Sequence, residues 1–281
     1  EALGFLTILL RKEVPVLCET PPAASTEELI RLWEMAQSSQ TPLLVAEQYF
    51  LQPYHSANLR LIEEGALGEV ISMRNSMMHG YHGINIMRRV LGVGMSGCRI
   101  SGRVDEFPIT HTCGREGRDV SGKVVTAQRE LFLFDFEGGK TGVWDFSGEQ
   151  YFSDIRARHL SVEGVRGEIS DTTVRILDRE NKPCVMDYRR VEAGPYSNLE
   201  GFSLQALELG GRRLWENPFP GARLSDDELA VACLMRNLRR HLQKGEELCY
   251  PLSEGLQDAH LAFCLDEAKR SGTVKTAICP W

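Results

Sequence analysis

Two short apolar runs, PVLCE at 15–19 and PLLVAEQY at 42–49, are each followed by a helix signal. That alternation limits the possible folds more than any other feature of the chain. Short continuous apolar runs suit strands buried on both faces, and a strand–helix–strand–helix rhythm implies an α/β unit with parallel strands. Ser25 and Glu28 have the spacing of a capping box, and Leu29, Ile30, Leu32, Trp33 and Ala36 line the helix it opens. Pro53 and Gly65 bracket another helix at about 53–64. Residues 2–12 have helical spacing and end in Arg11-Lys12. The chain begins with Glu1 and no cap precedes this helix, so the start reads as a cut.

After a strand expected at 68–77 and a helix at 81–91, the texture changes. From about 96 to 215 come β-like runs, among them CRISGRV, VVTAQRELFLFDF, KTGVWDF and FSLQALEL, several separated by glycine-bearing turns such as EGGK at 137–140. Such runs predict a large, mainly antiparallel sheet. Two helices close the chain. One runs from Ser225, in a capping box with Glu228, to about Lys244 with Gly245 as its stop; the other runs from Ser253 to about Arg270.

The composition, 42% hydrophobic and 25% charged over 281 residues, is that of a globular protein long enough for two domains. A net charge of −7 argues against a nucleic-acid partner, which would require clustered Lys and Arg. The longest apolar stretch, ALGFLTILL, is well short of the roughly 20 residues of a membrane span, and no signal pattern precedes it. A cytoplasmic protein without membrane contact is the expectation. Eight dispersed cysteines, with no CxxC pair, suggest reduced, buried, small apolar residues. The string Gly92-x-Gly94-x-x-Gly97 matches a dinucleotide-binding motif, but it follows a helix and precedes a strand. It therefore predicts a helix stop, because the motif works only between a strand and the helix after it.

Several segments together resemble one family, the Gfo/Idh/MocA oxidoreductases. They are VPVLCETPPAASTEELIRLWEMAQ, LLVAEQYFLQP, LIEEGALGEV, GYHGINIMRRVLG and the closing LSEGLQDAHLAFCLDEAKRSGTVKT, and in family order they cover nearly the whole chain. The resemblance implies that residues 1–66 are the C-terminal part of a Rossmann-like dinucleotide-binding domain. Residues 67–281 would form an α+β domain with a large, mainly antiparallel open sheet that binds substrate and forms homodimers or homotetramers. The phosphate-binding glycines would lie upstream of Glu1. The implied chemistry is NAD- or NADP-dependent oxidation or reduction at the CH–OH group of a sugar, cyclitol or related small molecule.

On this resemblance His82 falls on the family's catalytic histidine, a side chain able to exchange a proton near neutral pH. Asn85 and Arg89 follow at helical spacing, so the three would form a polar stripe directed at a cleft. His79 and the phenols of Tyr49, Tyr81 and Tyr151 are further proton donors. The expected contacts to cofactor are Glu19, Thr20, Pro21 and Gln48, with a cis bond before Pro21. In the loop at 110–119, His111, Arg115 and Arg118 are candidates for an anionic substrate, although the loop also reads as a solvated connection. His79 and His82 lack a third ligand nearby, so no metal is expected. Thr20 stands where the family has a lysine, and a hydroxyl cannot replace an ammonium as proton donor at neutral pH. Met78 and Asn85 also replace frequent aspartates. The departures leave a second reading open, a non-catalytic sugar- or nucleotide-sensing protein with the same fold. A third is a scaffold whose sheet serves assembly.

Overall fold

The computed structural model describes residues 2–39, 41–193 and 204–281. The strand expected at 202–209 is accordingly seen from Leu204 onward, and Glu1, Phe202 and Ser203 lie outside the described residues. The chain begins α1 (Ala2–Arg11), β1 (Val16–Cys18), α2 (Thr26–Gln37), β2 (Leu43–Val45), α3 (Pro53–Glu63). β1 and β2 pair in parallel, Cys18 opposite Val45, as the alternation of apolar runs and helices required. Both strands are shorter than expected: Glu19 leaves the sheet after Cys18, and Tyr49 lies in a 3₁₀ turn, Tyr49–Leu51. The box at the start of α2 forms by half. Ser25 Oγ accepts from the Glu28 amide at 3.3 Å, while the Glu28 carboxylate takes the Ala24 N–H at 3.0 Å.

The chain continues with β3 (Val70–Asn75), α4 (Gly80–Leu91), β4 (Cys98–Thr110), β5 (Cys113–Gly114), β6 (Gly117–Arg118), β7 (Val124–Phe136), β8 (Thr141–Phe146), β9 (Leu160–Gly164), β10 (Gly167–Ser170), β11 (Thr173–Leu177), β12 (Pro183–Glu192), β13 (Leu204–Leu209), β14 (Arg212–Glu216), α5 (Asp226–Lys244), α6 (Leu252–Ser271) and β15 (Lys275–Ala277). Among the described residues, eleven of these strands form one sheet in the order β14-β13-β12-β11-β10-β9-β3-β8-β7-β4-β15. Its pairings are antiparallel except for β3 with β8. β5 and β6 form a small hairpin inside the loop that the sequence left without structure.

One face of the sheet is covered and the other is open. Phe132, Phe134, Phe136, Trp144 and Phe146 alternate along β7 and β8 onto the face packed by α4 and α6. Each such fully buried side chain contributes roughly 1.5–3 kcal/mol of apolar transfer. Helix and sheet meet closely at Gly83, where a Cβ would collide with Asn75 Nδ2 and the Trp144 ring. Leu133 and Val185 are exposed on the opposite face.

Gly92 ends α4 in the left-handed conformation (φ 62°), and Arg88 holds the Gly94 carbonyl at 2.6 Å. The glycine string is a helix exit, as its position between helix and strand predicted. The Thr20–Pro21 peptide is cis. All eight cysteines are free, but only Cys98 is buried. The expectation of buried cysteines fails for the other seven, which sit at strand ends, in loops or on partly covered faces.

Candidate functional site

Glu47 follows β2 by two residues, at the carboxyl ends of the parallel pair, where α/β folds place ligands. The Ala46 amide donates to the Cys18 carbonyl at 2.7 Å, so Glu19-Thr20 and Ala46-Glu47 leave the sheet side by side. The Glu47 side chain is fully buried, and its Oε2 lies 2.7 Å from His82 Nδ1. Its other oxygen accepts the Tyr49 N–H at 2.9 Å. Burial pushes the Glu47 carboxyl up, and the hydrogen bond and charge of His82 pull it back. That bond occupies Nδ1 and leaves Nε2 as the ring nitrogen available to a substrate.

Rings enclose His82. Tyr49 stacks on it at 4.4 Å between centroids, and His79 meets it edge-on at 5.1 Å. Tyr151, from the 3₁₀ turn Gly148–Tyr151 after β8, lies with its hydroxyl 2.5 Å from His79 Nδ1 and accepts the His79 N–H at 3.2 Å. Burial lowers the His79 pKa, and the charge of His82, then those of Arg115 and Lys269, lower it further against an opposing effect of Glu130. Burial, and after it the phenol of Tyr151, raises Tyr49 well above the usual tyrosine range. The turn that aims α4 is set by Asn75: its Oδ1 accepts the Met77 and Met78 amides at 3.2 and 3.1 Å, and its Nδ2 donates to the Met78 carbonyl at 2.7 Å. Met78 itself is buried in the core.

The structure thus brings together four residues singled out from the sequence: His82, His79, Tyr49 and Tyr151. Others it places elsewhere, and the expected stripe is corrected. At about 100° per residue, Tyr81, Asn85 and Arg88 form one stripe that faces α6, and His82 lies on the next. Asn85 is fully buried and donates to Asp258 Oδ2 at 2.7 Å, so it does not face the cleft. The Tyr81 hydroxyl sits in the interior, 2.6 Å from that of Tyr250 and donating to the Gly255 carbonyl. Arg89 lies over the Phe50 ring at 3.8 Å. Gln48 donates to Asp227 Oδ1 at 3.2 Å. His111 pairs with Glu149 at 3.1 Å and Arg118 with Asp154 at 3.3 Å, while Arg115 is exposed. Glu19 and Pro21 are exposed and Thr20 is partly so.

Glu47 is the residue that sequence reasoning missed. The signal was present, since LLVAE, like VLCE, is a buried run ended by an acid. The two acids nevertheless differ: Glu19 is exposed and Glu47 is enclosed. Toward a dinucleotide, the described residues offer Glu19 and Thr20, which leave the sheet beside Ala46-Glu47. No pyrophosphate cradle between a strand and a helix occurs among them.

No family model matches the chain, and no curated protein does. Solved structures do match. An oxidoreductase from Agrobacterium radiobacter in complex with NAD+, L-tartaric acid and magnesium is similar with a TM-score of 0.67 at 15% identity, over 98% of this chain and 76% of that one. Levoglucosan dehydrogenase, in complex with NADH and levoglucosan, gives 0.67 at 14% identity, over 100% and 77%. Aldose-aldose oxidoreductase from Caulobacter crescentus, complexed with glycerol, gives 0.58 at 15%, over 98% and 75%. These are oxidoreductases of the Gfo/Idh/MocA type, and the likeness shows that this chain has their fold.

Proposed function

We propose that the chain is the substrate-binding and proton-handling part of an NAD(P)-dependent oxidoreductase acting on the CH–OH group of a sugar, cyclitol or related small molecule. The observation that carries this reading is His82 held by the buried Glu47, with Nε2 left open at the carboxyl ends of two parallel strands. A bound nicotinamide would supply the hydride acceptor or donor. The chain's own residues do the rest. Glu47 fixes the His82 ring through Nδ1, Tyr49 and His79 keep it from rotating, and Nε2 takes the hydroxyl proton as the carbon is oxidised. Tyr151, bonded to His79, is a second group in reach of a polyol. Glu47 thereby fills the role left open where Met78 and Asn85 replace aspartates. Residues 1–66 are the cofactor-side remainder of a Rossmann-like domain and 67–281 the substrate domain, whose open sheet face is the assembly face.

Titration of the full-length protein with NADH and NADPH, followed by nicotinamide fluorescence, tests the reading. Binding of one or both is expected, and no binding of either at about millimolar concentration, a free energy near −4 kcal/mol, would overturn it. With the cofactor bound, His82→Ala should lower turnover about 100-fold, the effect of losing one proton-transfer group. An unchanged rate would remove His82 from the mechanism. Thr20, in place of an ammonium, favours a second reading in which the same cleft binds a sugar or nucleotide without turning it over. Saturable ligand binding with no nicotinamide reduction would select it.

A further inference from the structure

The helix-covered face of the sheet carries an ion pair at the end nearest His79. Glu130 of β7 follows the same alternation as Phe132, Phe134 and Phe136, so it points to that face, and the ladder sets it opposite Phe146. Same-face neighbours on adjacent strands stand about 5 Å apart at Cβ. The Phe146 ring in turn lies 6.4 Å from that of His79 and 5.6 Å from that of Tyr151. Glu130 Oε2 accepts from Trp144 Nε1 at 2.8 Å and from Lys269 Nζ, near the end of α6, at 2.8 Å. Lys269 also donates to Asp266 Oδ1 at 3.1 Å. The Lys269 and Glu130 side chains are only 19% and 23% exposed. Lys269 lines a cavity of about 570 Å³ whose other wall is Ala24, Ser25 and Thr26, the continuation of the loop that holds Glu19 and Thr20. The charges of Glu130 and Lys269 act on His79 in opposite directions, so both lie within its electrostatic reach.

We propose that Glu130 and Lys269 are specificity-determining residues of the cleft and grip a neutral vicinal diol, one hydroxyl donating to Glu130 Oε1 and the next accepting from Lys269 Nζ. The inference rests on the oxidoreductase reading and narrows its substrate class to uncharged polyols. Both contacts of Glu130 fall on Oε2, and Oε1 has no partner among the described residues. An ammonium has three donors, and Lys269 directs two of them to Glu130 and Asp266. One carboxylate oxygen and one N–H are left side by side. Two adjacent hydroxyls complement them, and the charge on each protein group strengthens its bond. Trp144 is fully buried, so its N–H holds the carboxylate in place before a ligand arrives. Charge decides against an anion, because Glu130 and Asp266 set two negative charges against the one positive charge of Lys269. Arg270, the other cation lining the cavity, is exposed and donates through Nε to the Asp266 carbonyl. Glu267 is paired with Lys275.

Calorimetric titration of the full-length protein with D-glucose, myo-inositol and D-glucuronate tests the assignment. At least one of the two neutral polyols should bind with a Kd of about 1 mM or tighter, and D-glucuronate should bind about tenfold more weakly than D-glucose. Glu130→Gln and Lys269→Met should each weaken the neutral polyol about tenfold, the effect of removing one hydrogen bond to a charged group. A pair that only joins α6 to β7 would lower the thermal midpoint in these variants and leave their polyol affinity at the parent value. That result would overturn the proposal, as would the absence of binding by both neutral polyols. D-glucuronate bound as tightly as D-glucose would overturn the choice of an uncharged substrate. Nicotinamide fluorescence of the same protein separates this inference from the reading beneath it. Bound NADH with polyol affinity unchanged in both variants overturns the diol grip alone. Polyol binding weakened in both variants, in a protein that binds neither NADH nor NADPH, supports the grip and overturns the oxidoreductase reading.

Discussion

Helix α4 carries two polar stripes side by side, each meeting a buried carboxylate, and they differ in how completely that carboxylate is satisfied. On the α6 side, Asp258 is fully buried and accepts from Asn85 at 2.7 Å, from Tyr250 at 2.5 Å and from Arg88 at 2.5 Å, while Arg88 also reaches Glu254 at 3.1 Å. On the cleft side, Glu47 has one amide and one imidazole, and that imidazole is 15% exposed with a free nitrogen. A carboxylate saturated by a permanently charged arginine is locked into structure. One bonded to a titratable ring can pass a proton on. Burial alone does not distinguish them, because both side chains are fully enclosed. The partner decides.

The largest expected effect breaks the saturated side. Asp258→Ala leaves Arg88, 2% exposed, with Glu254 as its remaining carboxylate, and should cost about 3–5 kcal/mol in denaturant unfolding. A loss below about 1 kcal/mol would show that the network is not what joins α4 to α6.

A third enclosed base sharpens the contrast. His55 is buried with no carboxylate beside it, and burial, followed by the charge of Arg158, lowers its pKa to about 4. An unfolded histidine titrates near 6.5, so between those values the unfolded chain binds more protons and stability falls as pH falls. The contribution is fully present above about pH 6.5 and lost by about pH 4, roughly 3 kcal/mol in all. Unfolding free energies measured across that range should flatten in His55→Leu. An unchanged slope would mean that His55 is not the group responsible.

On the open side, Glu47→Gln keeps the shape and removes the charge. Because burial already disfavours the ionised form, unfolding should change little, while turnover should drop about 100-fold, the low end of acid–base assistance. Equal turnover in steady-state assays would make Glu47 a structural group like Asp258. The smallest effect is common to both stripes: Gly92→Ala places a Cβ at φ 62° and should cost about 1 kcal/mol in thermal unfolding, with both sites intact.

Much of the architecture was legible because it depends on local pattern. Apolar runs between capped helices gave the parallel pair, alternation along 124–136 gave β7, and the order helix, glycines, strand identified Gly92–Gly97 as a stop. His82 was singled out through the family resemblance of the segment GYHGINIMRRVLG, not through local pattern. What was misjudged depends on rotation and depth. A helix of this kind turns about 100° per residue, so an error of one position moved the polar stripe from Tyr81–Asn85–Arg88 to His82–Asn85–Arg89. The early end of β2 likewise could not be read from hydrophobicity, which continues through Ala46 past the last ladder pair at Val45.

By itself the sequence determined the elements, their order and the residue types that can carry a proton, because propensity, periodicity and capping act over a few neighbouring residues. The tertiary structure alone decided which acids are enclosed and by what. Glu47 and Glu19 end similar runs, yet only Glu47 is covered by α4 and bonded to His82. Arg74, Arg129 and Asp145 are separated by up to 71 positions along the chain and meet only because β3, β8 and β7 are neighbours in the sheet. Desolvation and partner geometry belong to the assembled fold, and no local pattern encodes them.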